Sequence, residues 1–254
     1  MIFEAADKMK NFEAGIFNIL DDKRKELESQ GRKIYNFSVG TPDFEPEEHI
    51  MKAVSEACLH PENYRYALSD RDELLEAVIR RYKHRYHTDI AKNEIMSVYG
   101  SQEGMTHIFL PLINPGDVVL LPNPGYPIFN TGAFVAQASQ WLYPLTEEND
   151  YLPDLAAIPE DVRRAAKVMV VSYPANPICK TAPDSFYEEL ITFARENEIL
   201  IIHDNAYSDI IYDGREGKSF LSFPGAKEVG VEFYSLSKSY NYTGARMSLS
   251  LIHI

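Results

Sequence analysis

The chain is poor in cysteine, in positive charge and in long apolar runs, and each shortage removes a class of protein. Its two cysteines, Cys58 and Cys179, lie far apart and without metal-ligand spacing. Neither a disulfide scaffold nor a zinc site is expected, and a reduced, cytoplasmic setting fits best. Lys and Arg number 25 against 38 Asp and Glu, a formal charge of −13. A field of that sign argues against nucleic acid or an anionic membrane as partner, so any anionic ligand must be held by local groups. No apolar stretch approaches the roughly 20 residues a membrane helix needs. No secretory apolar region opens the chain, and repeats and low-complexity linkers are missing. What remains is a soluble protein of 254 residues, long enough for one large α/β domain and part of another.

The spacing of apolar residues predicts a charged helix over about 9–30, a loop at 38–44, and helices near 47–58 and 72–86. From Glu94 onward short apolar runs alternate with helical segments. The runs are Ile95–Tyr99, Val118–Leu121, Trp141–Leu145, Lys167–Ser172, Ile199–His203 and Val231–Leu236. Helices are expected between them near 102–113, 128–137 and 184–196. This alternation implies βαβ units and a mostly parallel sheet covered on both faces. Ligand groups in such folds collect at the carboxyl ends of the strands.

The chemistry-bearing residues fall at those ends. Lys238 sits among hydroxyls at the end of an apolar run, in Ser235-Leu-Ser-Lys-Ser, with Arg246 eight residues on. Desolvation lowers a lysine pKa and makes the amine a nucleophile. Ser235, Ser237 and Arg246 could hold a phosphate dianion beside it. The bland alternative, a helix-start lysine with solvating serines, weighs about equally on this segment alone. Gly100-Ser-Gln-Glu-Gly opens a helix as an anion site or as an ordinary N-cap at Ser101. Pro122-Asn-Pro-Gly-Tyr-Pro is a stiff turn presenting Tyr126, which could stack on a heterocycle. Asn176, ahead of a proline, is extended and can aim its amide into a site. Asp204 ends a buried run, where it either caps a helix or meets a cationic ring nitrogen, with Tyr207 three residues later. His84 and His87 stand at helical spacing without a convergent carboxylate or cysteine, so no metal site is expected. His107 and His203 read as core or flanking residues.

Each element is weak alone, and their order carries the argument. Anion cradle, aromatic, Asn-Pro, Asp-x-x-Tyr, Ser-x-Ser-Lys and Arg together resemble the class I/II aminotransferases, the fold type I family of pyridoxal phosphate enzymes. The resemblance covers about 30–247 and is most specific from Lys238 to Arg246. It implies an α/β fold with a mostly parallel sheet flanked by helices, incomplete toward the carboxy terminus, and pyridoxal 5'-phosphate as cofactor. Lys238 would form the Schiff base and shuttle the proton, and Asp204 would pair with the ring nitrogen. Asn176 and Tyr207 would contact the ring 3-oxygen, and Tyr126 would stack on the ring. Ser101, Gln102, Ser235, Ser237 and Arg246 would hold the phosphate. Tyr66 matches the family tyrosine that reaches the phosphate of a neighbouring subunit, implying a homodimer, and Gly40 matches the loop glycine near the substrate carboxylate. Amino transfer between an L-amino acid and a 2-oxo acid follows as the activity of the parent enzyme. A carbon–sulfur β-lyase and a non-catalytic effector-binding module are the alternatives.

The sequence departs from the family in three places. Ile178-Cys179 replaces the Thr-Gly that often follows Asn-Pro, and Arg71 stands where a glycine is common. Family members also continue well past the lysine, into the region that carries the arginine for the substrate α-carboxylate. The expected organisation is an arm and part of a small domain over 1–40, the cofactor-binding domain over 41–248, and a non-native tail over 249–254. That tail equals the in-frame translation of an end sequence used in transposon-based sequencing libraries. It is expected to alternate too little to specify a face, and to pair, if at all, as a makeshift strand beside the sheet. The 254 residues by themselves are expected to be inactive.

Overall fold

The computed structural model describes residues 4, 6, 7, 9, 16–37, 40–212 and 214–252. The chain divides into two compact units, Met1–Asp43 and Phe44–Ile254. In the first, α1 (Ile16–Ser29) is a charged helix. Arg24 bridges Asp21 and Glu28 one turn to either side, pairs that support an exposed helix by only tenths of a kcal/mol each. Residues 9–15 of the expected helix fall at its start, and 10–15 lie outside the described residues.

The second unit is built on a seven-stranded sheet. Along the chain run α2 (Glu48–Ala57), α3 (Asp72–Tyr86), β1 (Ile95–Val98), α4 (Ser101–His107), α5 (Phe109–Leu112), β2 (Val118–Asn123), α6 (Pro127–Val135) and β3 (Ser139–Pro144). Then follow α7 (Glu160–Ala165), β4 (Ala166–Ser172), α8 (Asp184–Asn197), β5 (Leu200–Asp204), α9 (Ala226–Val229), β6 (Gly230–Ser235), α10 (Leu236–Ser239) and β7 (Ser248–Leu251). The spatial order is β1-β7-β6-β5-β4-β2-β3. Every neighbouring pair from β6 to β3 is parallel, while β7 runs antiparallel to both β6 and β1. The fold is thus α/β, with a mostly parallel mixed sheet.

Alternation along the strands sends side chains to two cores. Val119, Leu121, Val168, Val170, Ile202, Val231 and Phe233 pack with Met105, Phe109, Phe129 and Ala133 from α4, α5 and α6. Leu120, Met169, Val171, Ile201 and Tyr234 face the opposite way, against Val78 and Tyr82 of α3 and Phe186, Leu190 and Ile191 of α8. Burial on both faces is what a parallel sheet with crossover helices requires.

Two differences from the sequence reading have physical causes. The helix expected over 102–113 breaks at Ile108 into α4 and α5, with Pro111 unable to donate a backbone bond one turn back. The second concerns the end of the chain. Ser248–Leu251 is not beside the sheet but inside it, every residue buried, with Leu249 and Leu251 in the α3/α8 core. Its Ser-Leu-Ser-Leu alternation has the period of a strand and does specify a face.

Candidate active site

Six parallel strands point their carboxyl ends to one rim, and the segments leaving β1, β2, β4, β5 and β6 carry the expected residues. After β6, Ser235 starts the one-turn α10 by accepting the Ser237 N–H at 3.2 Å. Ser248 Oγ donates to the same Ser235 oxygen at 3.1 Å. A hydroxyl that accepts twice has only its own hydrogen left to offer. Lys238 follows within that turn, half-buried, with its Nζ 5.9 Å from the centre of the Tyr207 ring. Burial, and secondarily the Arg246 guanidinium, depress its amine below the ordinary lysine value. Both effects penalise the ammonium form and favour the nucleophile.

Arg246 reaches back across the rim to the loop after β1. Gly100 there has φ +88 and ψ 145, and a Cβ on it would lie 2.2 Å from the Arg246 Nη2. Only glycine adopts that backbone freely, and only its missing side chain leaves room for the guanidinium. The next residue, Ser101, opens α4, so the first amides of that helix follow directly on the glycine that the guanidinium packs against. Gln102 Nε2 donates to the Tyr126 hydroxyl, which fastens that ring from the loop after β2.

Asp204 closes β5, paired in register with Ser172 of β4 and Phe233 of β6. A turn follows it rather than a helix, so the cap alternative is not realised. The carboxyl is buried, and Oδ1 has no hydrogen-bond partner among the described residues. Burial raises it to about 6, against the opposing pull of His203 and the Ala206 N–H. An unsatisfied buried carboxyl oxygen costs roughly 1–3 kcal/mol, and a protonated ring nitrogen would supply the missing donor. Tyr207 lies beside it, its hydroxyl accepting from Asn176 Nδ2 at 3.4 Å. Burial, Asp204 and Tyr126 raise the phenol to about 12, so it remains a donor.

Lys238, Tyr207, Asn176 and Asp204 therefore form one group, and Arg246 with Gly100–Ser101 another. Tyr66 is 98% exposed, and Gly40 lies in the first unit, exposed. A groove of about 580 Å³ lined by Met96, Val98, Gly104, Ile108 and Phe233 runs along β1 and α4 and includes none of the rim side chains. Among the described residues no cluster of three His, Cys, Asp or Glu could hold a metal. None of their helices is long and apolar enough to cross a membrane. Sequence reasoning missed Arg81 and Asp209, whose contacts span well over a hundred residues and leave no local spacing to read.

The aminotransferase class I and II family matches residues 32–253, and the chain belongs to that family. The LL-diaminopimelate aminotransferase of Aquifex aeolicus is 40% identical over 98% of this chain and 65% of its own length. Substrate-bound BacF from Bacillus subtilis superposes with a TM-score of 0.93 at 37% identity, over 99% of this chain and 64% of that one. A probable N-succinyldiaminopimelate aminotransferase from Thermus thermophilus gives 0.88 at 39% identity, over 93% of this chain and 64% of that one. The chain thus spans about 65% of the length of the curated relatives it matches. The family uses pyridoxal phosphate, and its aminotransferases act on amino acids and 2-oxo acids.

Proposed function

We propose that the protein containing this chain is a pyridoxal phosphate-dependent aminotransferase. The observation that carries the reading is the buried Asp204 Oδ1, without a partner among the described residues, on the same rim as the depressed amine of Lys238. Lys238 would hold the cofactor aldehyde covalently, and Asp204 would keep a proton on the ring nitrogen. Tyr207 and Asn176 would donate to the ring oxygen, and Tyr126 would cover a ring face. Ser101, Gln102, Ser235, Ser237 and Arg246 would surround the phosphate. When bound, the cofactor supplies an electron sink for a carbanion next to its imine carbon. The Lys238 Nζ, when not bonded to the cofactor, would take the substrate α-proton as base and give it back as acid.

Tyr66 would complete the phosphate site of a second copy, making the active protein a homodimer, with Gly40 near the substrate carboxylate. The curated relatives' shared name supports LL-diaminopimelate as the first amino donor to assay. Borohydride reduction of the cofactor-loaded full-length protein, followed by peptide mapping, should label Lys238. Label on another lysine, or none in folded protein, overturns the assignment. Release of a 2-oxo acid without ammonia distinguishes amino transfer from a lyase.

A further inference from the structure

One carboxylate ties together the segments on either side of Lys238. Asp209, two residues past Tyr207, accepts on Oδ2 from Arg81 Nη2 at 2.6 Å, Tyr234 OH at 2.7 Å and Ser239 Oγ at 2.6 Å. Arg85 Nε approaches its Oδ1 at 3.5 Å. The Arg81 guanidinium also donates to the Tyr240 hydroxyl at 3.0 Å and lies 4.7 Å from the centre of the Tyr234 ring. Ser208, beside Asp209, shares a hydrogen bond of 2.9 Å with Tyr86. The cluster thus joins α3 (Arg81, Arg85, Tyr86), the turn after Asp204 (Ser208, Asp209), β6 (Tyr234) and the α10 turn (Ser239, Tyr240). Ser239 and Tyr240 directly follow Lys238.

We propose that Asp209 is a positioning residue: through Ser239 and Tyr234 it locks the α10 turn to the Asp204–Tyr207 turn and so sets how deeply the Lys238 amine is held beside Tyr207. Asp209 makes no direct approach to the amine and acts through its neighbours. The inference rests on Lys238 being the reactive lysine. Four charge-bearing or hydroxyl donors on one oxygen pair are more than a surface ion pair needs, since such a pair contributes about 0–1 kcal/mol. Burial works against its charge, yet the bonds from Ser239 and Tyr234 and the Arg81 cation hold the Asp209 carboxyl below the usual carboxylate range. It therefore stays an acceptor at any pH where the enzyme would work.

The deciding variant changes no charge. Tyr234→Phe with Ser239→Ala removes both hydroxyl donors to Asp209, and with the Tyr234 hydroxyl one acceptor of Arg81 Nη2 at 2.8 Å. It keeps every charged group, Arg81, Arg85 and the Glu216 that Arg85 approaches at 3.5 Å, and leaves Arg246 and Tyr207 facing Lys238. In the full-length protein without cofactor, reductive methylation with formaldehyde across a pH series, read by peptide mass, gives the midpoint of Lys238. The expected result is a midpoint raised toward ordinary lysine by about half a pH unit, a roughly threefold loss of neutral amine at fixed pH. A control, Leu190→Ala in the α8 core, should lower Tm and leave the midpoint where it was. If the double variant fails to fold, Ser239→Ala alone should move the midpoint in the same direction by less. An unmoved midpoint, with cofactor still trapped on Lys238 of the unmodified protein, overturns the role of Asp209 alone. Trapping at a different lysine overturns this inference and the functional reading together.

Discussion

Glu232 and Asp204 are buried acids on neighbouring strands, and the fold treats them in opposite ways. Glu232 Oε1 accepts from Tyr82 OH and Ser219 Oγ, each at 2.8 Å. Its Oε2 receives the Phe220 N–H at 2.8 Å and lies 3.0 Å from His203 Nδ1. All of its lone-pair directions are used, so its burial is compensated. Asp204, one residue past His203 on the opposite face of the sheet, has an oxygen with no donor among the described residues. The chain can satisfy a buried carboxyl, since it does so one strand away. That it leaves Asp204 short marks the rim as a place where a ligand, rather than the fold, completes the bonding.

The largest effect should come from breaking the satisfied acid. Glu232→Leu leaves the Phe220 N–H, the His203 ring and the Tyr82 and Ser219 hydroxyls without their shared acceptor. It should destabilise the protein by about 3–5 kcal/mol in urea unfolding. A loss under about 1 kcal/mol would mean that the network is not what stabilises this layer.

Asp204→Asn should do the reverse, damaging chemistry more than folding. Loss of one preorganised electrostatic partner predicts a turnover reduced roughly 10²–10³-fold in the full-length protein. Its stability signature is a pH dependence. The native carboxyl, raised to about 6 from 3.8, binds its proton more tightly than the unfolded one. Its contribution is therefore fully present below pH 3.8 and lost as pH rises through about 6. Without cofactor, stability should shift in favour of the variant by about 3 kcal/mol between pH 3 and pH 7. A pH-independent difference between variant and parent would place the cost elsewhere.

The smallest effect asks whether the rim also stores backbone strain. Cys179 has φ +59 in the turn after Asn176, where a non-glycine residue costs about 1–2 kcal/mol and glycine adds back about 0.5–1 in entropy. Cys179→Gly should thus stabilise by about 0.5 kcal/mol, read as a small rise in Tm. A fall would show that the Sγ contact with the Pro177 carbonyl, at 3.7 Å, outweighs the strain.

Much of this was legible in the sequence. The six runs from Ile95 to Leu236 correspond to β1–β6 within two residues at each end, because parallel strands buried on both faces read as continuous apolar segments. Lys238, Tyr207 and Asn176 are brought together with Asp204 because all of them follow strand ends, which is where such sheets gather ligand groups. Strand order was not legible. Nothing in Ser-Leu-Ser-Leu says that β7 inserts between β1 and β6, since alternation specifies a face and not a neighbour. The Glu232 and Asp209 networks were also hidden, because a partner such as Tyr82 or Arg81 is set by tertiary packing and not by spacing along the chain.

The position of β7 bears on how the molecule is made. β1 has β7 as its sheet neighbour, with Ile95 opposite Leu251. A chain emerging from the ribosome amino end first would expose β1, and the Gly100–Ser101 loop that leaves it, until β2–β6 and then β7 had been synthesised. Closing so long a loop is slow, and an unpaired strand edge invites other chains meanwhile. Half of the proposed anion cradle would thus take shape only when β7 slides in, so the cofactor should be acquired after residue 251 has been made rather than before.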